Sequence, residues 1–234
     1  YNQILEELNT SNEGYLPANA TLTDATRNAI HRIAVNPIDG NIVFAYNVSG
    51  SSAVWSMNPA NLSGNATNLI DNSITAANSI CFDKDGALYV MDNANTGTGG
   101  KIYKIQDGVA SVFADAQTGN IWGVEENAMT PDGRGGLWIA QNRWGTAAGT
   151  LFHVNVAENK IDFKVEADKE YSDWFAGANY RGAIAYDKQR DILAVHSEKC
   201  ASVFQVTYSS GVPSISKICQ TPAIGGTAID GLAF

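Results

Sequence analysis

Charge is scarce in this sequence, and what there is leans one way. Fifteen Lys and Arg stand against 24 Asp and Glu in 234 residues, a formal net charge of −9. No run of Lys and Arg is present, which removes the electrostatic footprint of a nucleic-acid binder and disfavours anionic membranes as partners. Long apolar runs are lacking as well. None approaches the roughly 18 residues that a membrane-spanning helix needs, so no membrane span is expected in this chain. Histidine and cysteine number three each, and His31, His153 and His196 show no close-spaced metal-ligand pattern. There is no nucleophile elbow. The run "NTGTGGK" at 95–101 joins two strands instead of opening a helix, so it lacks phosphate-binding geometry. Residues 4–8 are the one helix-like stretch, too short to stand alone. The chain starts at Tyr1 with no leader of its own, and is expected to be a processed or excised piece.

What the sequence does have is a repeat. "RIAVNPIDGNIVFAYN" begins at Arg32, "SICFDKDGALYVMDN" at Ser79, "NAMTPDGRGGLWIAQN" at Asn127 and "AIAYDKQRDILAVHS" at Ala183, and "DGLAF" closes at Phe234. The large residue ending the first run of each is Val35, Phe82, Met129, Tyr186 and Phe234, in steps of 47, 47, 57 and 48 residues. Each is preceded by a small residue: Ala34, Cys81, Ala128, Ala185 and Ala233. Second strands read Ile42-Val43-Phe44, Leu88-Tyr89-Val90, Leu137-Trp138-Ile139 and Ile192-Leu193-Ala194. Third strands carry Trp55, Tyr103, Phe152 and Phe204, and a weaker fourth strand follows each. Apolar runs bounded by Asp-Gly, Asn-Pro and Ser-Gly turns are the chemistry of an antiparallel meander.

Such a four-stranded sheet cannot cover both of its apolar faces alone. Units repeating at this period pack face to face around an axis, and the fold class expected is all-β: a β-propeller of four-stranded antiparallel blades. A solenoid stack ranks below it. Blades are expected at 30–76, 77–124, 125–180 and 181–228, with an inner strand at 229–234. Residues 1–29 are expected to be the outer strands of a partial blade or an irregular N-terminal segment. The chain is therefore expected to be a fragment of a six-bladed ring. The alternative is a small closed ring with residues 3–8 supplying the missing strand.

"FDKDGALYVMDN" resembles NHL-repeat and related six-bladed propellers. "DGRGGLWIAQNRWG" is similar to the sensor propellers of hybrid two-component systems. "AIDGLAF" and "ANSICFDKDGALYV" resemble the gluconolactonase and senescence-marker-protein family of calcium-dependent hydrolases. The resemblance covers nearly the whole chain from Ile30 onward and is specific for architecture, since such turn motifs recur on functionally unrelated propellers. It implies metal ligands at inner-strand starts. Asn78 and Asp230 match that pattern by local motif, and Glu125 or Glu126 supplies an acidic ligand. Oxygen donors of this kind suit calcium, which would polarise a lactone or ester carbonyl. The competing account is a wet channel lined by polar side chains, and no resident cofactor is expected under it.

Two clusters are candidates for ligand binding at the channel mouth. His31, Asn78, Glu125, Arg181 and Asp230 lie at the starts of inner strands. Asp92, Arg143, Trp144 and His196 follow second strands, and Trp174 lies in the long insertion between the third and fourth units, where loop length suits a binding function. Aromatic and polar side chains together suit a carbohydrate or protein partner. Cys200 and Cys219 flank a hairpin whose turn is expected at residues 209–211. Their numbers sum to 419, which places them opposite each other and predicts a disulfide, hence an oxidising, extracytoplasmic location. The expected function is a non-catalytic extracytoplasmic propeller. The alternatives are a calcium-dependent lactonase and the sensor portion of a signalling receptor.

Overall fold

The strand runs of the repeat form the sheets. The structure, a computed structural model, describes residues 30–48, 51–61, 66–70, 74, 77–92, 101–115, 128–141, 150–166, 183–196 and 201–220. Among the described residues, sixteen strands form four antiparallel sheets, each ordered as it runs along the chain. Sheet 1 holds β1 (Ile30–Val35), β2 (Ile42–Val48), β3 (Ser51–Met57) and β4 (Thr67–Ile70). Sheet 2 holds β5 (Ala77–Phe82), β6 (Leu88–Asp92), β7 (Lys101–Gln106) and β8 (Val109–Asp115). Sheet 3 holds β9 (Ala128–Pro131), β10 (Gly136–Gln141), β11 (Thr150–Asn155) and β12 (Lys160–Glu166). Sheet 4 holds β13 (Ala183–Asp187), β14 (Ile192–His196), β15 (Ala201–Ser209) and β16 (Val212–Gln220). Among the described residues there is no helix, and so none long and apolar enough to cross a membrane.

The chain divides into two compact units, Tyr1–Asp92 with Tyr103–Ser111, and Asn93–Ile102 with Val112–Phe234. In the first, sheets 1 and 2 interleave Val43, Ala45, Val54 and Ile70 with Ile80, Leu88, Val90, Tyr103 and Ile105. In the second, Trp138, Ala140 and Leu151 of sheet 3 pack on Ile184, Leu193, Val195, Phe204 and Val206 of sheet 4. Second strands are apolar on both sides because both faces are covered: every residue of β6 is buried. The outermost β16 is mostly exposed, with buried Pro213 the exception.

One turn device recurs between first and second strands. The Asp83 carboxylate accepts the backbone N–H of Asp85 and Ala87, Asp132 accepts those of Arg134 and Gly136, and Asp187 accepts those of Gln189 and Arg190. Asn36 does the same for Ile38. A short side chain bonding the backbone two residues on closes the turn in place of a ladder bond. This device corrects one column of the repeat. Pro131 pairs with Leu137 as Phe82 pairs with Leu88, so Pro131, not Met129, ends the third inner strand. The inner-strand position four residues earlier is then 127, not Glu125.

The cysteine pairing fails in the same way, by register. Ser210 and Gly211 both have positive φ, 51° and 82°, so the hairpin closes on a two-residue turn of the primed type that matches strand twist. Ser209 faces Val212, and an irregularity between Val203 and Phe204 shifts the far end of the ladder again. Cys219 consequently faces Val203 and is a free, exposed thiol. Cys200 lies outside the described residues. The bridge is withdrawn, and with it the argument for an oxidising compartment. A thiol-reactive reagent followed by peptide mass mapping should label Cys219 in the native protein without reductant. Cys81 should react only on unfolding, because it is buried and its thiol is pushed up by burial and the nearby Asp83 charge. A Cys219 that labels only after reduction would restore the bridge.

Candidate functional site

His31 and Asn78 occupy equivalent places on β1 and β5. In β1 the ladder steps from Ile30↔Tyr46 to Arg32↔Ala45, leaving His31 unpaired. In β5 it steps from Ala77↔Asp92 to Ser79↔Met91, leaving Asn78 unpaired. Each is a bulge on an innermost strand, and a bulge bends its strand and re-aims the extra residue. The sequence reading chose these two positions for their place in the repeat; the register supplies the physical reason they differ from their neighbours.

The other candidates at this end are less fully defined. Asp92 ends β6 opposite Ala77, but at 3% exposure it is turned into the blade. There, burial and then the Asp92 charge hold the Tyr103 phenol above its ordinary value. His196 ends β14 opposite Ala183. Glu125, Arg143, Trp144, Trp174, Arg181 and Asp230 lie outside the described residues, as do residues 1–29 and 229–234. Among the described residues, no three His, Cys, Asp or Glu side chains come together to hold a metal ion, and two members of the proposed calcium set, Glu125 and Asp230, are not among them.

A second polar centre lies in sheet 3, at the end of the blade where β9 turns into β10. His153 on β11 is opposite Trp138 on β10. Its Nε2 is 3.1 Å from Asp132 Oδ2 and its Nδ1 is 2.7 Å from Asp162 Oδ1. All three side chains are buried, at 3%, 2% and 3% exposure. Burial alone would push the imidazole toward neutrality; hydrogen bonds to the two carboxylates, and their charges, outweigh it and raise the His153 pKa. Burial would likewise raise Asp132, but hydrogen bonds from His153 and from the Gly136 and Arg134 N–H groups bring it below the ordinary carboxyl value.

Sheet 4 closes over this centre with the tip of its long β15–β16 hairpin. The Tyr208 hydroxyl donates to Asp132 Oδ2 at 3.3 Å, and the Arg134 guanidinium lies 4.7 Å above the Tyr208 ring. Arg134 also reaches the Asp191 carboxylate at 2.8 Å, and the Tyr186 hydroxyl donates to that same carboxylate at 2.6 Å. Burial, together with the Asp132 charge, pushes the Tyr208 phenol up to about 12. A cavity of about 320 Å³ borders these groups. Both ring nitrogens of His153 are engaged, so it has no lone pair to offer a substrate as a general base. The centre is a charged clamp between neighbouring blades. The sequence pattern around His153, which has no close-spaced ligand partner, does not reveal the centre. Asp132 in the turn and Trp138 opposite His153 were readable signals; Asp162 was not, because a ladder irregularity between His153 and Val154 sets its place.

With the geometry established, comparison with known proteins gives the following. No family model and no curated protein matches the sequence. A gluconolactonase from Xanthomonas campestris is 14% identical, covering 89% of this chain and 67% of its own, with a TM-score of 0.55. A chain of the nidogen/laminin complex is also 14% identical, covering 83% of this chain and 73% of its own at 0.53. TolB from Acinetobacter baumannii is 14% identical over 80% of this chain, at 0.51, and this chain spans 43% of its length. The fold is a β-propeller. At such identities the likeness carries architecture and not activity. These structures share the architecture to which the blade motifs pointed.

Proposed function

We propose that this propeller is a non-catalytic binding module whose carbohydrate or protein partner docks where the inner strands begin. The observation that supports it is the bulge repeated at His31 and Asn78 in successive blades. A ladder break at the same place in two sheets sets a polar residue apart from the strand that carries it, and binding groups on rigid elements are held more closely than groups on loops. The net charge of −9 keeps polyanions out of the partner list. The similarity to a chain of the nidogen/laminin complex supports a protein partner.

The second reading is a calcium-dependent lactonase. It is favoured by the gluconolactonase among the similar structures and by the bulged place of Asn78, an oxygen donor at an inner-strand start. A thermal-melt screen of glycans and basic or neutral peptides, with and without calcium, separates the two. Binding is supported by a ligand that raises the melting temperature of the native protein and does so less for the His31→Ala/Asn78→Ala variant. Calcium-dependent opening of gluconolactone, lost in Asn78→Ala, would replace it with the hydrolase.

A further inference from the structure

The two units build the same inter-blade space from different side chains. Ladder positions identify the equivalents. Trp138 and His153 are an opposed pair on the second and third strands of sheet 3, and Val43 and Ser56 are the same pair in sheet 1. Phe163 faces His153 from the fourth strand, and Thr67 faces Ser56. Arg134 follows the turn residue Asp132 by two, as Ile38 follows Asn36. On the facing blade, β15 continues through Tyr208, two residues beyond Val206. In sheet 2, the residue two beyond Ile105 is Asp107, where the chain turns with φ of 52° and 75° at Asp107 and Gly108.

In the second unit an imidazole and a guanidinium meet the carboxylates, Trp138 and Tyr208 supply flat apolar walls, and a cavity of about 320 Å³ remains. In the first unit, the small replacements leave an open cleft of about 410 Å³, within the range of ligand pockets. Its floor is Val43, Leu69, Phe82, Leu88 and Ile105, and Asp39, Asp85 and Asp107 stand at its rim. No Lys, Arg or His is among its lining residues. Lys84 bonds Asp85 at 2.6 Å from the adjacent position. Ile38, which lines the cleft, is 68% exposed and adds apolar surface at the opening.

We infer that the cleft between sheets 1 and 2 takes an arginine side chain presented by a partner protein. The second unit supplies the pattern: its own Arg134 lies across the equivalent gap, stacked on a ring and paired with a carboxylate. Among the described residues, the cleft of the first unit is lined by the carboxylates and the apolar floor without a cationic side chain. A planar, weakly hydrated guanidinium on an aliphatic stem fits a greasy floor beneath an acidic rim better than a compact ammonium does. The exposed Ile38 at the opening calls for an apolar neighbour of that arginine, which a peptide chain provides and a free small cation does not. This site is separate from the bulged positions of the proposed binding end, and its test reads it independently.

The probe is the peptide acetyl-Leu-Arg-Leu-amide, titrated into the full chain by calorimetry and by backbone NMR, with its citrulline analogue and methylguanidine as controls. Saturable binding is expected, with shifts confined to Ile38, Phe82, Gly86 and Asp107 and their neighbours. The citrulline peptide and methylguanidine should each bind at least about tenfold more weakly. Asp39→Asn and Asp107→Asn should each weaken binding about two- to fivefold, as expected for exposed charge pairs, and the loss should shrink in high salt. Ser56→His, which copies the second unit, should narrow the cleft and weaken binding. Its melting temperature, and those of the Asn variants, report whether the fold survives. No saturable binding at millimolar peptide, equal binding of the citrulline form, methylguanidine matching the peptide, or indifference to both rim variants would each overturn the inference.

Discussion

His153→Ala is expected to cost about 3–5 kcal/mol of stability, because it removes the cation from between two buried carboxylates. The substitution leaves Asp132 and Asp162 facing an emptied site, and both are almost wholly buried. The pH dependence of the native protein should identify the pair. His153 has a raised pKa in the folded protein, from an ordinary value of 6.5, so its stabilisation is complete below that value and is lost as pH rises through the folded pKa. Asp132 has a lowered pKa, from an ordinary 3.8, so its stabilisation is complete above that value and is lost as pH falls through the folded pKa. Together they are at full strength between about pH 4 and pH 6.5, by that linkage. Chemical denaturation across pH should show a plateau there, and His153→Ala should flatten its alkaline side. A variant whose stability falls with pH as the native protein's does would remove His153 as the cause.

Gly136→Ala is expected to destabilise nearly as much, about 3 kcal/mol or more, by overpacking and by displacing the imidazole from its partner. An added Cβ would lie 2.1 Å from His153 Nε2, 2.4 Å from its Cε1 and 2.8 Å from Asp132 Oδ2. The glycine is needed for space: the ring sits where a methyl group would go. The two substitutions should therefore not add. In a His153→Ala background the methyl group has room, and Gly136→Ala should cost little. Equilibrium unfolding of the four proteins of the cycle gives the interaction energy directly, and an additive result would mean that the close contact is relieved elsewhere.

The strand pattern was legible because it is local. Val43, Tyr89, Trp138 and Leu193 lie in short apolar runs between turn residues, and a run covered on both faces needs no partner information to be recognised. The Asp-Gly turns were legible for the same reason, while the shared role of Asp83, Asp132 and Asp187 emerges from the structure, where each bonds backbone within four positions of itself. The bulges at His31 and Asn78 were not legible, since an unpaired residue is defined only against its neighbouring strand. The Cys219 pairing went wrong by a few residues because hairpin register depends on the turn type, and Ser-Ser-Gly admits a two-residue or a three-residue turn.

The sequence by itself determined the blades: four strands per unit, their order, and the turns that end them, all set by contacts between residues close along the chain. Only the tertiary structure decided which polar groups meet. His153 and Asp132 are 21 residues apart and Tyr208 and Asp132 are 76 apart. The first meeting is fixed by strand register within sheet 3 and the second by how sheet 4 is laid against it, and burial makes each charge depend on a partner from another strand.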